Sequence, residues 1–62
     1  MKNLAVALIE PIYEANLGFI SRVMKNFGVT NLYLVNNMVN LEKARRFASH
    51  GFDVIDKAQF QY

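Results

Sequence analysis

Asn16-Leu17-Gly18-Phe19-Ile20-Ser21-Arg22-Val23-Met24-Lys25-Asn26-Phe27-Gly28 decides the fold, because it reads as a helix set between two short apolar runs. At about 100° per residue, Leu17, Phe19, Ile20, Val23, Met24 and Phe27 fall on one half of the helical wheel. Gly18, Ser21, Arg22, Lys25 and Asn26 fall on the other, polar half. Asn16 is a good N-cap, and Gly28 stands where a helix end takes a left-handed residue. Glycine costs about 1 kcal/mol inside a helix. Gly18 therefore has two readings: an incidental gap on a solvated face, or a place where another backbone or a ligand comes close. Arg22, one turn further on, carries a planar fork of donors suited to phosphate.

On the N-terminal side, Leu4-Ala5-Val6-Ala7-Leu8-Ile9 is a continuous apolar run stopped by Glu10-Pro11, which predicts a strand buried on both faces. On the C-terminal side, Leu32-Tyr33-Leu34-Val35 predicts a second strand, followed by a loop with Asn36 and Asn37. Asn40 caps a second helix with apolar positions Leu41, Ala44, Phe47 and Ala48, closed by His50-Gly51. Phe52, Val54 and Ile55 read as a third strand. Asp56 with Gln59 reads as a weak capping box that opens one more helix.

The order β-α-β-α-β places the chain in the α/β class, as a three-stranded parallel unit with right-handed crossovers. Parallel strands ask for cover on both faces, yet only two complete helices are supplied. Ligands of such sheets sit beyond the carboxyl ends of the strands. The loop at 10–15 lies there, so Asn16, Gly18 and Arg22 are expected to gather at that edge.

Composition narrows the chemistry. Sixty-two residues form one domain at most, and a chain so short leaves few kcal/mol of net stability. A hydrophobic content of 53% argues against intrinsic disorder. No apolar run approaches the roughly 18 residues of a membrane span, and the start lacks a signal-peptide pattern; a cytoplasmic location is expected. The absence of cysteine excludes disulfides and thiolate metal sites, and a lone histidine builds no metal site, so no metal is expected.

A net charge of +2 and a pI of about 9.2 permit an RNA or phosphate partner without demanding one. Arg45 and Arg46 can be answered by Glu42 within a turn and read as a solvated helix face. His50 reads as a helix C-terminal residue favoured by the dipole. Tyr13, Tyr33, Phe52 and Phe60 read as core or rim. Neither the dinucleotide fingerprint nor the P-loop is present, and no serine or cysteine sits in a nucleophile elbow.

One family pattern accounts for these elements jointly. A buried strand ending in Glu10-Pro11 is followed by Asn16-Leu17-Gly18, then by Arg22 four residues after the glycine. Lys25-Asn26-Phe27-Gly28 and Leu32-Tyr33-Leu34-Val35-Asn36 come next, with Ala48-Ser49-His50-Gly51 and Asp53-Val54-Ile55 downstream. This resembles the first motif of the SPOUT RNA methyltransferases, in the SpoU or TrmH branch, and within it the TrmJ-like, archaeal type. One departure is Ala15 before Asn16, where many members have glycine.

The resemblance implies the Rossmann-like first half of an alpha/beta-knot domain, with residues 1–62 as its N-terminal part. The knot, formed by later motifs that also hold the donor, is expected to lie beyond Tyr62. It implies ribose 2'-O-methylation of RNA, tRNA first and rRNA second, with S-adenosyl-L-methionine as donor in the complete domain. No cofactor is expected to bind these 62 residues alone. It assigns catalytic roles to Asn16 and Arg22 and substrate contacts to Gly18, Ser21 and Lys25. It also implies a homodimer. A non-catalytic RNA-binding or assembly module that kept the first half of the fold is the alternative.

Overall fold

The computed structural model describes residues 4–61. Strand β1 (Ala5–Ile9) leads through helix α1 (Glu14–Asn26) to strand β2 (Asn31–Val35). Helix α2 (Leu41–Ala48), a 3-10 turn (Ser49–Gly51) and the short helix α3 (Phe52–Asp56) then connect to strand β3 (Gln59–Gln61). The sheet order is β1-β2-β3 and both pairings are parallel. The expected β-α-β-α-β unit is therefore present.

Local chemistry explains the helix ends. Gly28 has φ +71°. Its N–H donates to the Lys25 carbonyl, while the N–H of Val29 reaches back to Met24. That pair of bonds is a Schellman ending, completed by apolar contact between the two flanking residues; Met24 and Val29 are both buried in the core. Asn40 caps α2 as expected, its Oδ1 accepting from the Lys43 N–H at 3.1 Å. The start of α1 differs. The helix begins at Glu14 with Tyr13 as N-cap, which leaves Asn16 inside the first turn and not at the cap. The extended backbone of Tyr13 already delivers the chain to the helix, and the Glu14 carboxylate suits the positive end of the dipole.

The third strand is displaced from its expected place. Phe52–Asp56 is helical, because Val54 and Ile55 are both buried as neighbours. Successive residues of a strand would point to opposite faces. The strand is instead Gln59-Phe60-Gln61, fully polar at its ends and paired to Tyr33, Leu34 and Val35. Asp56 closes a helix and opens none; its carboxylate is 3.0 Å from Arg45 Nε.

All three helices contribute to one core. Leu17, Met24, Ala44, Ala48, Val54 and Ile55 close over Leu32 and Leu34 of β2, with Val6 and Leu8 of β1 packed alongside. Both crossovers lie on one face, as right-handed connections stepping the same way across a sheet require. The other face, carrying Ala5, Ala7, Ile9, Tyr33, Val35, Gln59 and Gln61, contributes nothing to that core. Ile9 is 72% exposed. The expectation that β1 is buried on both faces is thus corrected, since only one side has helices to cover it.

Candidate functional site

The carboxyl ends of the strands carry a stitched shelf of loops. Glu10 follows β1 and Asn36 follows β2, and both adopt left-handed backbone, with φ +52° and +51°. Each N–H donates to the end of the neighbouring strand: Glu10 to Val35 O at 2.7 Å, Asn36 to Gln61 O at 2.8 Å. The second loop is tied to the first by Met38 N–H to Pro11 O and by Asn40 N–H to the Glu14 carboxylate at 3.3 Å. Asn37 closes on itself through two bonds with Val39. Asn16 is exposed above this shelf.

The polar face read from the sequence is divided by the fold. Asn16 and Arg22 lie about 120° apart around α1 and about 9 Å apart along it, from helix geometry. They do not gather at the sheet edge; Arg22 sits some two turns below it. Gly18 is buried, and a Cβ there would strike the Cβ of Phe47, its carbonyl carbon at 2.8 Å and the Ala44 oxygen at 2.9 Å. Of its two readings, close approach by another backbone is the one the structure shows. Ser21 is fully buried, its hydroxyl donating to the Leu17 carbonyl at 2.8 Å. Gly18 and Ser21, expected as substrate contacts, both lie buried here, Gly18 against α2 and Ser21 against the turn that follows it. Phe19, Val23 and Phe27, from the apolar half of the wheel, form an exposed stripe on α1, because the helix faces α2 through its small residues.

Lys25 and Arg22 do share a place. They line a cleft of about 120 Å³ with Asn26, Ser49, His50 and Gly51. Lys25 Nζ is 2.6 Å from Asp53 Oδ2. The hydrogen bond it donates, with its charge, holds the Asp53 carboxyl below its ordinary range. Arg22 and His50 form no hydrogen bond or ion pair through their side chains among the described residues. The turn carrying Ser49 and His50 presses directly on α1: a Cβ on Gly51 would lie 2.7 Å from the Ser21 carbonyl oxygen and 2.8 Å from the Arg22 nitrogen. The sequence reading missed Ser49 and placed His50 at a helix end. The pair Gly18 and Gly51, two small residues allowing two backbone approaches to one helix, is the signal that would have joined them to Arg22.

Two larger hollows exist. One, of about 470 Å³, is lined by Glu42, Arg45, Arg46 and Phe52, with Arg45 lying over the Phe52 ring and paired to Asp56. The other, of about 300 Å³, is lined by apolar residues including Leu4, Val23, Phe27 and Val29. The first is a shallow surface depression whose Arg45 is already engaged, and the second offers no polar anchor. Among the described residues no cluster of metal-ligating side chains occurs and no helix is long and apolar enough to cross a membrane.

No family model matches the chain. Curated relatives do. The chain is 37% identical over 55 residues to the tRNA (cytidine-2'-O-)-methyltransferase TrmJ of Sulfolobus acidocaldarius, covering 89% of this chain and 23% of the relative. It is 38% identical over 60 residues to the tRNA (cytidine/uridine-2'-O-)-methyltransferase TrmJ of Citrobacter koseri, covering 95% and 25%. For the tRNA (cytidine/uridine-2'-O-)-methyltransferase TrmJ of Yersinia pestis the figures are 39% over 59 residues, 94% and 23%. The chain spans about a quarter of the length of the curated relatives it matches.

Proposed function

We propose, on the premise that this chain is TrmJ-like along nearly its whole length, that it forms the RNA-facing first part of a tRNA ribose 2'-O-methyltransferase. The observation that carries the reading is the run of similarity itself, which spans Arg22 and both stitched loops. The uncommitted guanidinium of Arg22 supports it. A guanidinium stays protonated and has no lone pair to act as a base. Its work is to grip a phosphate through paired N–H donors and to stabilise negative charge developing on the 2'-oxygen. Asn16, at the sheet edge where α/β folds place ligands, helps orient the reacting groups. Lys25 lies beside Arg22 with its charge answered by Asp53.

S-adenosyl-L-methionine is the donor in this reading. The exposed stripe of Phe19, Val23 and Phe27 supports a homodimer in the complete enzyme, acting in the cytoplasm.

Nucleoside mass spectrometry of tRNA from cells with and without the protein tests the proposal. Loss of one 2'-O-methylated nucleoside is expected in the deletion. Unchanged 2'-O-methylation across tRNA and rRNA overturns it.

A further inference from the structure

We infer that the cleft between α1 and the Ser49–Gly51 turn is a phosphate site in which Ser49, His50 and Asn26 join Arg22 as ligands. The inference rests on the RNA-facing reading for the source of the phosphate, one linkage of a tRNA backbone, but its geometry stands separately.

The cleft has the right scale and lining. Its volume of about 120 Å³ is well below the roughly 300–1,000 Å³ of small-molecule pockets. That scale suits a single tetrahedral group. Arg22, Asn26, Ser49 and His50 line the cleft together with Lys25 and Gly51. The one carboxylate near it, Asp53, is neutralised by Lys25 at 2.6 Å, which leaves Arg22 as the cation with no prior partner among the described residues. Phosphate contacts of this mixed kind, from Arg, Ser, Asn and backbone donors, position a nucleic-acid backbone.

The backbone of Ser49 is a second, independent sign. It has φ +52° and ψ −120°, a conformation that favours glycine and costs about 1–3 kcal/mol for other residues. Nothing in its packing demands a side chain, since Ser49 is exposed. A glycine would relieve the strain but would remove the hydroxyl from the cleft. Gly51 seats the turn against the Ser21–Arg22 backbone, so the strained Ser49 backbone and His50 are held beside Arg22 on the cleft wall.

The test is a chemical-shift titration of the isotope-labelled chain with inorganic phosphate, with a cytidine–uridine dinucleotide, and with cytidine plus uridine lacking the phosphodiester. Saturable shifts at Arg22, Asn26, Ser49 and His50 are expected with the first two and not with the nucleosides. Ser49→Gly and His50→Ala should each weaken the dinucleotide by about tenfold, the scale of one hydrogen bond to a charged group. Ser49→Gly should do so while raising the melting temperature, which a loss of folding cannot mimic. Shifts centred elsewhere, or affinities indifferent to both variants, overturn the inference. Retention of whole tRNA separates the two ideas. If tRNA binds and only Arg22→Gln abolishes it, the RNA reading stands and this cleft does not. If phosphate occupies the cleft but tRNA is not retained, the cleft stands and the RNA reading falls.

Discussion

Arg22 is exposed while its neighbour Ser21 is fully buried, so its replacement should separate chemistry from folding. If the proposed methyltransferase function holds, Arg22→Ala should lower methyl transfer at least about hundredfold, the scale of losing a transition-state donor. The thermal midpoint should stay within a degree or so of the parent's, as for surface changes generally. Arg22→Lys should recover little, because a point charge lacks the planar fork. Radiolabelled methyl incorporation beside a melting curve checks both halves. Lys25 and Asp53 make a different prediction. The folded-state pKa of Asp53 lies below its ordinary 3.8, so the pair's contribution to stability is present above that value and lost as pH falls through the lowered one. Denaturation of the parent and of Lys25→Met at successive pH values should diverge above pH about 4 and converge in stronger acid. Parallel curves across the range would show the pair to be inert. Both partners are half-exposed, so added salt should shrink the divergence.

At the scale of elements, the approach of α1 to α2 through Gly18 fixes how the helices sit. Gly18→Ala should gain up to about 1 kcal/mol of helix propensity and lose more to overpacking, about 1–3 kcal/mol, because the obstructing atoms include the Phe47 and Ala44 backbone. A lower urea midpoint with an unchanged slope is the expected signature. Asn40→Ala should cost about 1 kcal/mol by removing the cap of α2, and more if the Glu14 tie to the same residue's N–H is loosened. These elements also show what the sequence could and could not disclose. Strand β1, the end of α1 at Gly28 and the Asn40 cap were legible because each rests on neighbouring residues. The third strand was not. Gln59-Phe60-Gln61 has no strand-forming pattern of its own and exists through pairing with β2, while Phe52–Ile55 has strand-like composition but is turned helical by burial on one side. The inner face of α1 was misjudged for a related reason. Counting apolar residues favoured Phe19, Val23 and Phe27, whereas the fold chose the narrow face bearing Gly18 and Ser21, which lets α2 come close. Arg22 was visible from its spacing to Gly18; Ser49 and His50 reach it only through a tertiary contact.

For the molecule as a whole, the uncovered sheet face and the Phe19–Val23–Phe27 stripe leave apolar surface on two sides of a small core. Both β1 and β3 are edge strands as well, with main-chain groups open to pairing. The 62-residue chain should therefore sediment with a weight-average mass that rises with concentration. Phe19→Glu with Phe27→Lys should reduce the rise if the stripe is the contact, and Ile9→Lys if the sheet face is. A concentration-independent monomer with strongly protected amides in all three strands would show the folded chain to be self-sufficient.

The one-sided sheet also has a calorimetric consequence. The heat capacity released on unfolding follows the apolar area newly wetted, and here one face of the sheet is wet before unfolding begins. The increment should fall below the roughly 0.8 kcal/mol/K usual for a chain of this length, with a shallow stability curve and a broad endotherm. Whatever covers that face, a second copy or further polypeptide, should restore the missing increment and narrow the transition. The scan would then register the covering as a heat-capacity gain without any need to locate where it occurs.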